Sequence, residues 1–237
     1  GAQGMKRGWI AGVVAVALCG WTTIASAGPV ILAGHDADDH GFTDVYDELF
    51  DSLLASATGG SGILAIGADS GTTAGDWITA VALLSTGTPT VTFVNGTDIS
   101  TVDFSLYEIL HIPSDSGNTV GGITSTENAF LTARADDIAA FVNSGGGLFG
   151  LTQGTLSDAY GYISGSGGLG SITTLSVSPS GILPSGFEYA NVDPTAAGAL
   201  LGITGTNLDG CCWHNVFLTY PSFLSVLATA YTPNIGD

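Results

Sequence analysis

Basic residues are almost absent from this chain of 237 residues. Three Lys and Arg stand against 21 Asp and Glu, which gives a formal net charge of −18. A surface of this sign repels nucleic-acid phosphates and anionic lipids, so we expect neither nucleic acid nor an anionic membrane surface as a partner. The excess of acidic groups instead suits cation binding, or solubility in an extracellular medium.

Cysteine is also scarce, and its positions exclude the usual cysteine-based sites. Cys19 lies in an apolar N-terminal stretch, and Cys211 and Cys212 are adjacent to each other. This spacing matches neither a disulfide framework nor a zinc-binding cysteine motif. The stability of the fold must therefore come from a hydrophobic core, which a chain of this length can bury.

A long apolar run is found only near the N-terminus, and its flanks are those of a signal peptide. Basic residues precede the run from Trp9 to Trp21, and the small residues Ala25-Ser26-Ala27 follow it. This order is typical of a secretory signal peptide, and the run is short for the alternative of a membrane anchor. We predict a tag remnant and signal peptide over residues 1–27, and one secreted domain, extracellular or periplasmic, over residues 28–237.

Apolar strands and amphipathic helices alternate through the first part of this domain. Uninterrupted apolar runs predict five strands, near residues 30–33, 62–67, 90–94, 107–112 and 148–151. Helical spacing of apolar residues predicts a helix from Phe42 to Leu54, and Thr124 with Glu127 forms a capping box that starts another. The alternation predicts an α/β fold with a doubly wound, mainly parallel, flavodoxin-like sheet in three layers.

The order of the strands follows less directly from the sequence than their existence. In a doubly wound sheet we expect the first strand to lie beside the second, and also beside the third or fourth. His111, inside the fourth strand, is interpreted as a core residue. After Thr155 the pattern weakens, and we predict a Gly/Ser-rich insertion near 156–190. A short helix and two closing strands are expected beyond it, at 196–201, 216–218 and 224–228.

The densest chemistry in the chain directly follows the first predicted strand. The segment reads His35-Asp36-Ala37-Asp38-Asp39-His40-Gly41. Carboxylates suit Ca²⁺ and Mg²⁺, whereas two imidazoles with a carboxylate suit Zn²⁺ or Fe²⁺. If the segment is extended, Asp36, Asp38 and His40 share a face, and we predict a divalent cation (Ca²⁺, Mg²⁺ or Zn²⁺) bound by His35, Asp36, Asp38, Asp39 and His40. The alternative is that these residues cap the helix that follows.

Other polar residues follow later strands of the predicted sheet. The candidate ligand-binding residues at these strand ends are Asp69, Ser70, Ser114, Asp115 and Gln153. Because ligands bind at the carboxyl ends of parallel strands, we expect this group to lie near the His35–His40 motif, at the mouth of the main cleft. Turn formation is the alternative role for each residue taken alone.

Several stretches between residues 105 and 229 resemble one enzyme superfamily. They are Leu106–Pro113, Ile138–Leu151, Asp193–Gly198, Trp213-His214-Asn215 and Ser225–Ala228. Their pattern resembles the class I glutamine-amidotransferase-like superfamily, most closely its trehalose-utilisation (ThuA-like) branch. The resemblance implies a parallel sheet with its site at the carboxyl edge.

The same resemblance implies where a nucleophile would stand. In the catalytic members a cysteine follows the fifth strand on a sharp turn, and a histidine serves it. Thr152 falls at this position here, and His214 matches the histidine. A threonine hydroxyl needs a well-placed base, whereas a cysteine is partly ionised near neutral pH. We therefore predict no glutaminase activity.

The sequence leaves three functions open, and it does not decide whether the protein is an enzyme. The first is a secreted acidic domain that binds a cation or a carbohydrate, with little or no catalysis. The second is a hydrolase of an ester, amide or glycoside, which would use Thr152 and His214, or a metal-activated water held by His35, Asp36 and His40. The third is a surface or matrix assembly protein. A carbohydrate or cell-surface partner is expected, with Trp77 and Trp213 as candidate sugar-stacking rings.

Overall fold

The computed structural model describes residues 27–41, 43, 45–176, 192–208 and 214–230. Residues 1–26 of the predicted leader and residues 177–190 of the predicted insertion lie outside this description. So do Cys211, Cys212 and Trp213.

A five-stranded sheet, with all of its strands parallel, forms the centre of the fold. Its strands, β1 to β5 in chain order, are Val30–Leu32, Ile63–Ile66, Val91–Val94, Ile109–Ile112 and Gly147–Gly150. In space they follow the order β1-β5-β4-β2-β3. The three-layer α/β fold and the five predicted strands are confirmed.

The predicted neighbours of β1 are wrong. In the described sheet β1 pairs with β5, with Ile31 opposite Phe149, and β2 lies between β3 and β4. Apolar runs and glycines indicate which segments are strands, but the lateral order depends on how the crossovers pack. The loops that follow β1, β5 and β4 are therefore neighbours, whereas those that follow β2 and β3 lie further along the same edge.

Helices cover both faces of the sheet. In chain order, α1 to α7 are Ala37–His40, Tyr46–Ser56, Thr73–Leu84, Ser125–Thr132, Ala135–Asn143, Gly161–Ser164 and Ala196–Leu200. Successive strand residues point to opposite faces. Ile63 accordingly packs in one hydrophobic core with residues of α2 and α3, and Leu64 packs in a second core with residues of α4, α5 and α6.

Two local predictions can be compared with these helices. The capping box is present, because Thr124 Oγ1 accepts from Glu127 N (3.2 Å) and Glu127 Oε2 accepts from Thr124 N (2.9 Å). The helix predicted from Phe42 begins later, at Tyr46, and is preceded by the separate turn α1.

Arg134 is the one Lys or Arg among the described residues, and it is engaged within the fold. Its Nη1 donates to the carbonyl oxygens of Ile99 (2.8 Å) and Val102 (2.7 Å), and its Nε pairs with Asp137 (2.8 Å). Its guanidinium group lies 3.9 Å from the centroid of the Phe104 ring. Arg134 therefore links the segment between β3 and β4 to the start of α5, and its positive charge is paired with the carboxylate of Asp137.

The C-terminal part adds two short antiparallel pairs. Strands β6 to β9 are Thr173–Ser176, Val192–Pro194, Asn215–Thr219 and Ala228–Ala230, and β6 pairs with β8 and β7 with β9. The short helix predicted at 196–201 and the strand at 216–218 are confirmed, but the strand predicted at 224–228 begins only at Ala228. Within the described residues, every helix is too short or too polar to span a membrane.

Candidate metal centre

A single helical turn shapes the motif that follows β1. Gly41 ends α1 with a φ of 72°, a left-handed conformation that glycine adopts at little steric cost. Asp36 and His40 are four residues apart and therefore lie on the same face of the turn. The expectation that an extended segment places Asp36, Asp38 and His40 on one face is wrong, because Asp38 faces the loop after β4 instead.

The carboxylate of Asp36 is fully buried and forms the centre of the site. Its Oδ2 lies 3.0 Å from Nε2 of His214 and 3.3 Å from Nε2 of His40. The same oxygen accepts a hydrogen bond from Nε2 of Gln153 (2.8 Å). Its Oδ1 is buried without a hydrogen-bond partner among the described residues. Asp36, His40 and His214 thus offer three ligand atoms within 4.8 Å of one another.

The electrostatics of this group favour an ionised Asp36. Burial raises the pKa of Asp36, but its interactions with His214 and the charges of His40 and His35 outweigh burial and hold the pKa below its usual value. Nε2 of His214 lies only 3.0 Å from Oδ2 of Asp36, and this contact is among those that lower the pKa of the carboxyl group.

Backbone contacts with the loop after β1 place His214. The amide nitrogens of His214 and Asn215 both donate to the carbonyl oxygen of Gly34, at 2.8 and 3.1 Å. A Cβ atom at Gly34 would lie 1.7 Å from the carbonyl oxygen of Asn215, so only glycine permits this approach. The start of β8 is thereby held against the end of β1, and it carries the third ligand into the site.

A chain of buried polar contacts runs behind Asp36. Oε1 of Gln153 accepts from Oγ1 of Thr119 (3.2 Å), which lies 2.8 Å from Oγ of Ser114. Ser114 in turn contacts Asp38, with its Oγ 2.5 Å from Oδ1 and its backbone N–H donating to Oδ2 (2.9 Å). The chain joins the loops that follow β1, β4 and β5, and all of its members are buried.

The number of hydrogen atoms available for these buried polar contacts indicates the protonation state of Asp38. Asp38, Ser114, Thr119 and Gln153 form three successive contacts, but only two hydroxyl hydrogens are available to fill them. A proton on Asp38 supplies the third hydrogen. Burial and the charge of Asp36 raise the pKa of Asp38 to about 7, although the hydroxyl and N–H of Ser114 favour the ionised form by donating to it. The protonated form, in which Asp38 donates to Oγ of Ser114 instead, is therefore accessible near neutral pH.

The two remaining residues of the motif lie beside the three-ligand group. His35 is buried, and its Nδ1 forms a 2.7 Å hydrogen bond with the hydroxyl of Tyr46. Asp39 is 18% exposed, and its Oδ2 lies 3.7 Å from Nε2 of His40. The structure thus concentrates the predicted ligand set on Asp36 and His40 and adds His214 from a distant part of the chain.

Helix capping does not account for the Asp36 side chain. Asp36 occupies the position before α1, yet its carboxylate makes no capping hydrogen bond with the first turn. A carboxylate that caps a helix accepts from the backbone N–H groups of that turn. Oδ2 of Asp36 is instead directed towards His40, His214 and Gln153.

The predicted pair of Thr152 and His214 is not joined by a hydrogen bond in the described structure. Oγ1 of Thr152 is 3.1 Å from the side-chain amide of Asn215, whereas Nε2 of His214 faces Asp36. In the orientation that satisfies its surroundings, the Asn215 amide oxygen accepts from Thr152 and from the N–H of Gly154 (3.2 Å). A base for Thr152 is therefore not in place in this arrangement.

Three other candidate residues are not brought into the centre. Asp69 and Ser70 are exposed at the end of β2, where the carboxylate of Asp69 accepts from the amide of Asn95. Asp115 is buried, but its carboxylate accepts from the N–H groups of Gly117 (3.1 Å) and Thr155 (3.0 Å) and links two loops. The strand order explains the difference, since β4 and β5 separate β2 from β1.

Sequence reasoning missed two residues that support the site, Thr119 and Asn215. Threonine in a polar loop carries no distinguishing signal, and Asn215 stood out only as a neighbour of His214. Trp77, considered as a sugar platform, is 4% exposed and packs in the core, so it offers no ring face to a ligand. His111 is confirmed as a core residue, because it is fully buried among aromatic rings.

Two cavities in the described structure lie away from the centre. One, of about 500 Å³, follows the outer edge of β1 and includes Tyr46 and Asn215, but none of the five predicted metal ligands of the motif. The other, of about 710 Å³, lies near the amino ends of β2 and β4, beside Asp51 and Glu108. The expectation that the motif forms the mouth of a main cleft is therefore not met by either cavity.

Comparisons with protein-family models, with curated proteins and with solved structures find no match to this chain.

Proposed function

We propose that this protein binds a divalent transition-metal ion through Asp36, His40 and His214. The observation that carries the proposal is the spacing of the ligand atoms. Metal–ligand bonds of about 2.0–2.2 Å at tetrahedral or octahedral angles place neighbouring ligand atoms roughly 2.9–3.4 Å apart. The distances from Oδ2 of Asp36 to the two imidazole nitrogens are 3.0 and 3.3 Å.

The ligand types favour Zn²⁺ or Fe²⁺ over the other cations that the sequence left open. Two imidazoles and one carboxylate suit Zn²⁺ and Fe²⁺, whereas Ca²⁺ and Mg²⁺ prefer oxygen ligands. Ca²⁺ and Mg²⁺ therefore serve as negative probes.

A second candidate function, metal-dependent hydrolysis, is favoured by the number of ligands. Catalytic zinc sites typically have three protein ligands and one open position, while structural sites have four. His40 is 34% exposed, so solvent reaches this side of the group. A bound ion would supply an activated water there, and Gln153 would hold the carboxylate ligand in place. With Arg134 engaged elsewhere, we expect a neutral ester, amide or glycoside as the substrate, in preference to an anion.

The cellular setting and the ancestry of the domain belong to the same proposal. The predicted signal peptide supports an extracellular or periplasmic location, and the low content of basic residues suits such a medium. Kinship with the class I glutamine-amidotransferase-like superfamily is supported by the stretches quoted above. The proposed centre does not depend on that kinship, because it does not use Thr152 as a nucleophile.

The test is a metal titration of chelator-treated protein. We expect Zn²⁺ to bind with 1:1 stoichiometry by calorimetry and to raise Tm, and we expect Ca²⁺ and Mg²⁺ to do neither. His40→Ala and His214→Ala should each abolish the rise in Tm. Glu48→Gln, which removes an exposed negative charge on α2, should retain it. If Zn²⁺, Co²⁺ and Fe²⁺ all fail to bind stoichiometrically to the wild-type protein, the proposal is wrong.

A further inference from the structure

The amide of Gln153 has two chemically different ends, and both are used. Its Nε2 donates to Oδ2 of Asp36 (2.8 Å), and its Oε1 accepts from Oγ1 of Thr119 (3.2 Å). If the amide were reversed, its oxygen would meet the carboxylate oxygen of Asp36 and repulsion would replace a hydrogen bond. The carboxylate of Asp36, which only accepts while it is ionised, therefore determines which end of Gln153 faces it, and Thr119 supplies the donor for the other end.

Both Gln153 and Thr119 are almost completely buried, at 3% and 1% exposure. Water cannot readily replace either hydrogen bond at such a depth, so losing one leaves a buried group unsatisfied. The loops that carry them are fixed to each other independently, since Thr155 donates its backbone N–H to Asp115 (3.0 Å). The position of the Gln153 amide is thus set by the fold before any ligand binds.

We infer that Gln153 is a positioning residue for the metal centre: its amide holds the carboxylate of Asp36 in the orientation that ligates the ion, and Thr119 anchors the other end of that amide. The inference rests on the proposed function. It adds that affinity and coordination geometry depend on a side chain that is not itself a ligand. Metal-ligating carboxylates in proteins are commonly held by such hydrogen bonds, and their loss costs roughly 10- to 100-fold in metal affinity.

The test compares Gln153→Met with wild type, because methionine fills a similar volume without a donor. We expect Gln153→Met to bind Co²⁺ and Zn²⁺ about 10- to 100-fold more weakly. We also expect its Co²⁺ visible spectrum to change in band position and intensity, since these report coordination number and symmetry. A purely structural role would lower the Tm of the metal-free protein and leave the Co²⁺ spectrum unchanged.

Asn128 offers a matched control. Its side-chain amide is also buried and donates to a backbone carbonyl, that of Asp158 (2.7 Å), but it lies on α4 outside the site. Asn128→Leu should lower the Tm of the metal-free protein while keeping the wild-type Co²⁺ affinity and spectrum. This control separates the effect of losing any buried amide from the effect of losing the amide of Gln153 beside Asp36.

Thr119→Val provides a second variant that does not touch Asp36. The substitution removes the hydrogen bond to Gln153 and the contact with Ser114, and it should weaken Co²⁺ binding by about three- to tenfold, a smaller loss than in Gln153→Met. If wild type binds Co²⁺ and both variants match its affinity within twofold and its spectrum, the inference about Gln153 is wrong and the metal site stands. If wild type itself shows no saturable Co²⁺ spectrum, the proposed function fails and the inference fails with it.

Discussion

Two loops at the carboxyl edge of the sheet, one after β1 and one after β2, both carry candidate aspartates but form different structures. After β2, Asp69 is exposed and its carboxylate is paired with Asn95 at the end of β3. After β1, Asp36 is fully buried, in contact with two histidines and with Gln153 from the loop after β5. Both aspartates lie within four residues of the end of an apolar strand, and the sequence predicts ligand binding at both.

Neighbouring elements make the difference. The ends of β1, β5 and β4 are consecutive in the sheet, and they are covered by α1 and by the segment that begins at His214. Polar groups shut away from water must satisfy one another, and this requirement fixes their geometry. Where water can reach, as at Asp69, no such requirement applies. Burial at a shared edge, more than acidic composition, therefore marks the candidate site.

The largest effect is expected when the same substitution, aspartate to asparagine, is made after β1 and after β2. Asp36→Asn should weaken Zn²⁺ binding by on the order of a thousandfold, about 4 kcal/mol, because the ion loses its only anionic ligand of the three. Asp69→Asn should leave the affinity unchanged, since its carboxylate is exposed and distant from the centre. Calorimetric titration of both variants decides the matter. Equal losses in the two would mean that general negative charge, and not the Asp36 centre, attracts the ion.

Much of the fold could be predicted from the sequence because its signals are local. A strand buried on both faces appears as a continuous apolar run, as in Ile63–Ile66, and needs no knowledge of its neighbours. The capping box at Thr124 and Glu127 is likewise contained within four residues. Strand order is a property of the whole fold, and for this reason the predicted partner of β1 was wrong.

The site could be predicted only in part, for the same reason. Its position at the carboxyl edge and the involvement of Asp36 and His40 followed from the motif. The four-residue turn α1 is too short to show helical periodicity, so the sequence predicts an extended segment and wrongly adds Asp38 to the face shared by Asp36 and His40. His214 was assigned to Thr152 by resemblance, because no local signal ties it to a carboxylate at the other end of the chain.

His111 sharpens the comparison, because its burial is only partly compensated. It lies on β4 and is fully buried among aromatic rings. Burial, weakly opposed by the backbone of Phe149, lowers the pKa of His111 to about 3 from 6.5. Below about pH 6.5 the unfolded chain therefore binds a proton on His111 that the folded protein does not bind. The free energy of unfolding falls as the pH falls towards 3.

The expected size is about 3 kcal/mol of stability lost between about pH 6.5 and about pH 4, with a slope that approaches roughly 1.4 kcal/mol per pH unit as the unfolded histidine becomes fully protonated. The measurement is denaturant unfolding of wild type and His111→Leu over this range, in which the variant should show the weaker pH dependence. Parallel curves for the two proteins would show that His111 accepts its proton in the folded state.

A smaller effect on stability is expected when one serine hydroxyl is removed from the loop after β4 or from the loop after β2. Ser114→Ala leaves the contacts of Asp38 and Thr119 incomplete inside the protein, which should cost about 2 kcal/mol of stability. Ser70→Ala alters an exposed turn after β2 and should cost less than about 0.5 kcal/mol. Chemical denaturation of the metal-free variants provides both values. A cost at Ser70 as large as that at Ser114 would remove the distinction between the two ends.

The smallest effect is expected where a substitution preserves the buried chain. The carboxylate of Asp38 accepts from the hydroxyl and from the N–H of Ser114. An asparagine at this position can still accept from the N–H with its oxygen, and its amide nitrogen can donate to Oγ of Ser114, as a protonated aspartate would. Asp38→Asn should therefore change the stability of the metal-free protein by less than about 1 kcal/mol, whereas Asp38→Leu, which breaks both contacts, should cost about 3 kcal/mol. Equal costs for the two variants would mean that the fold holds Asp38 as a charged carboxylate. The chain from Asp38 to Gln153 would then lack one hydrogen, and the orientation of Gln153 would have to depend on Thr119 alone.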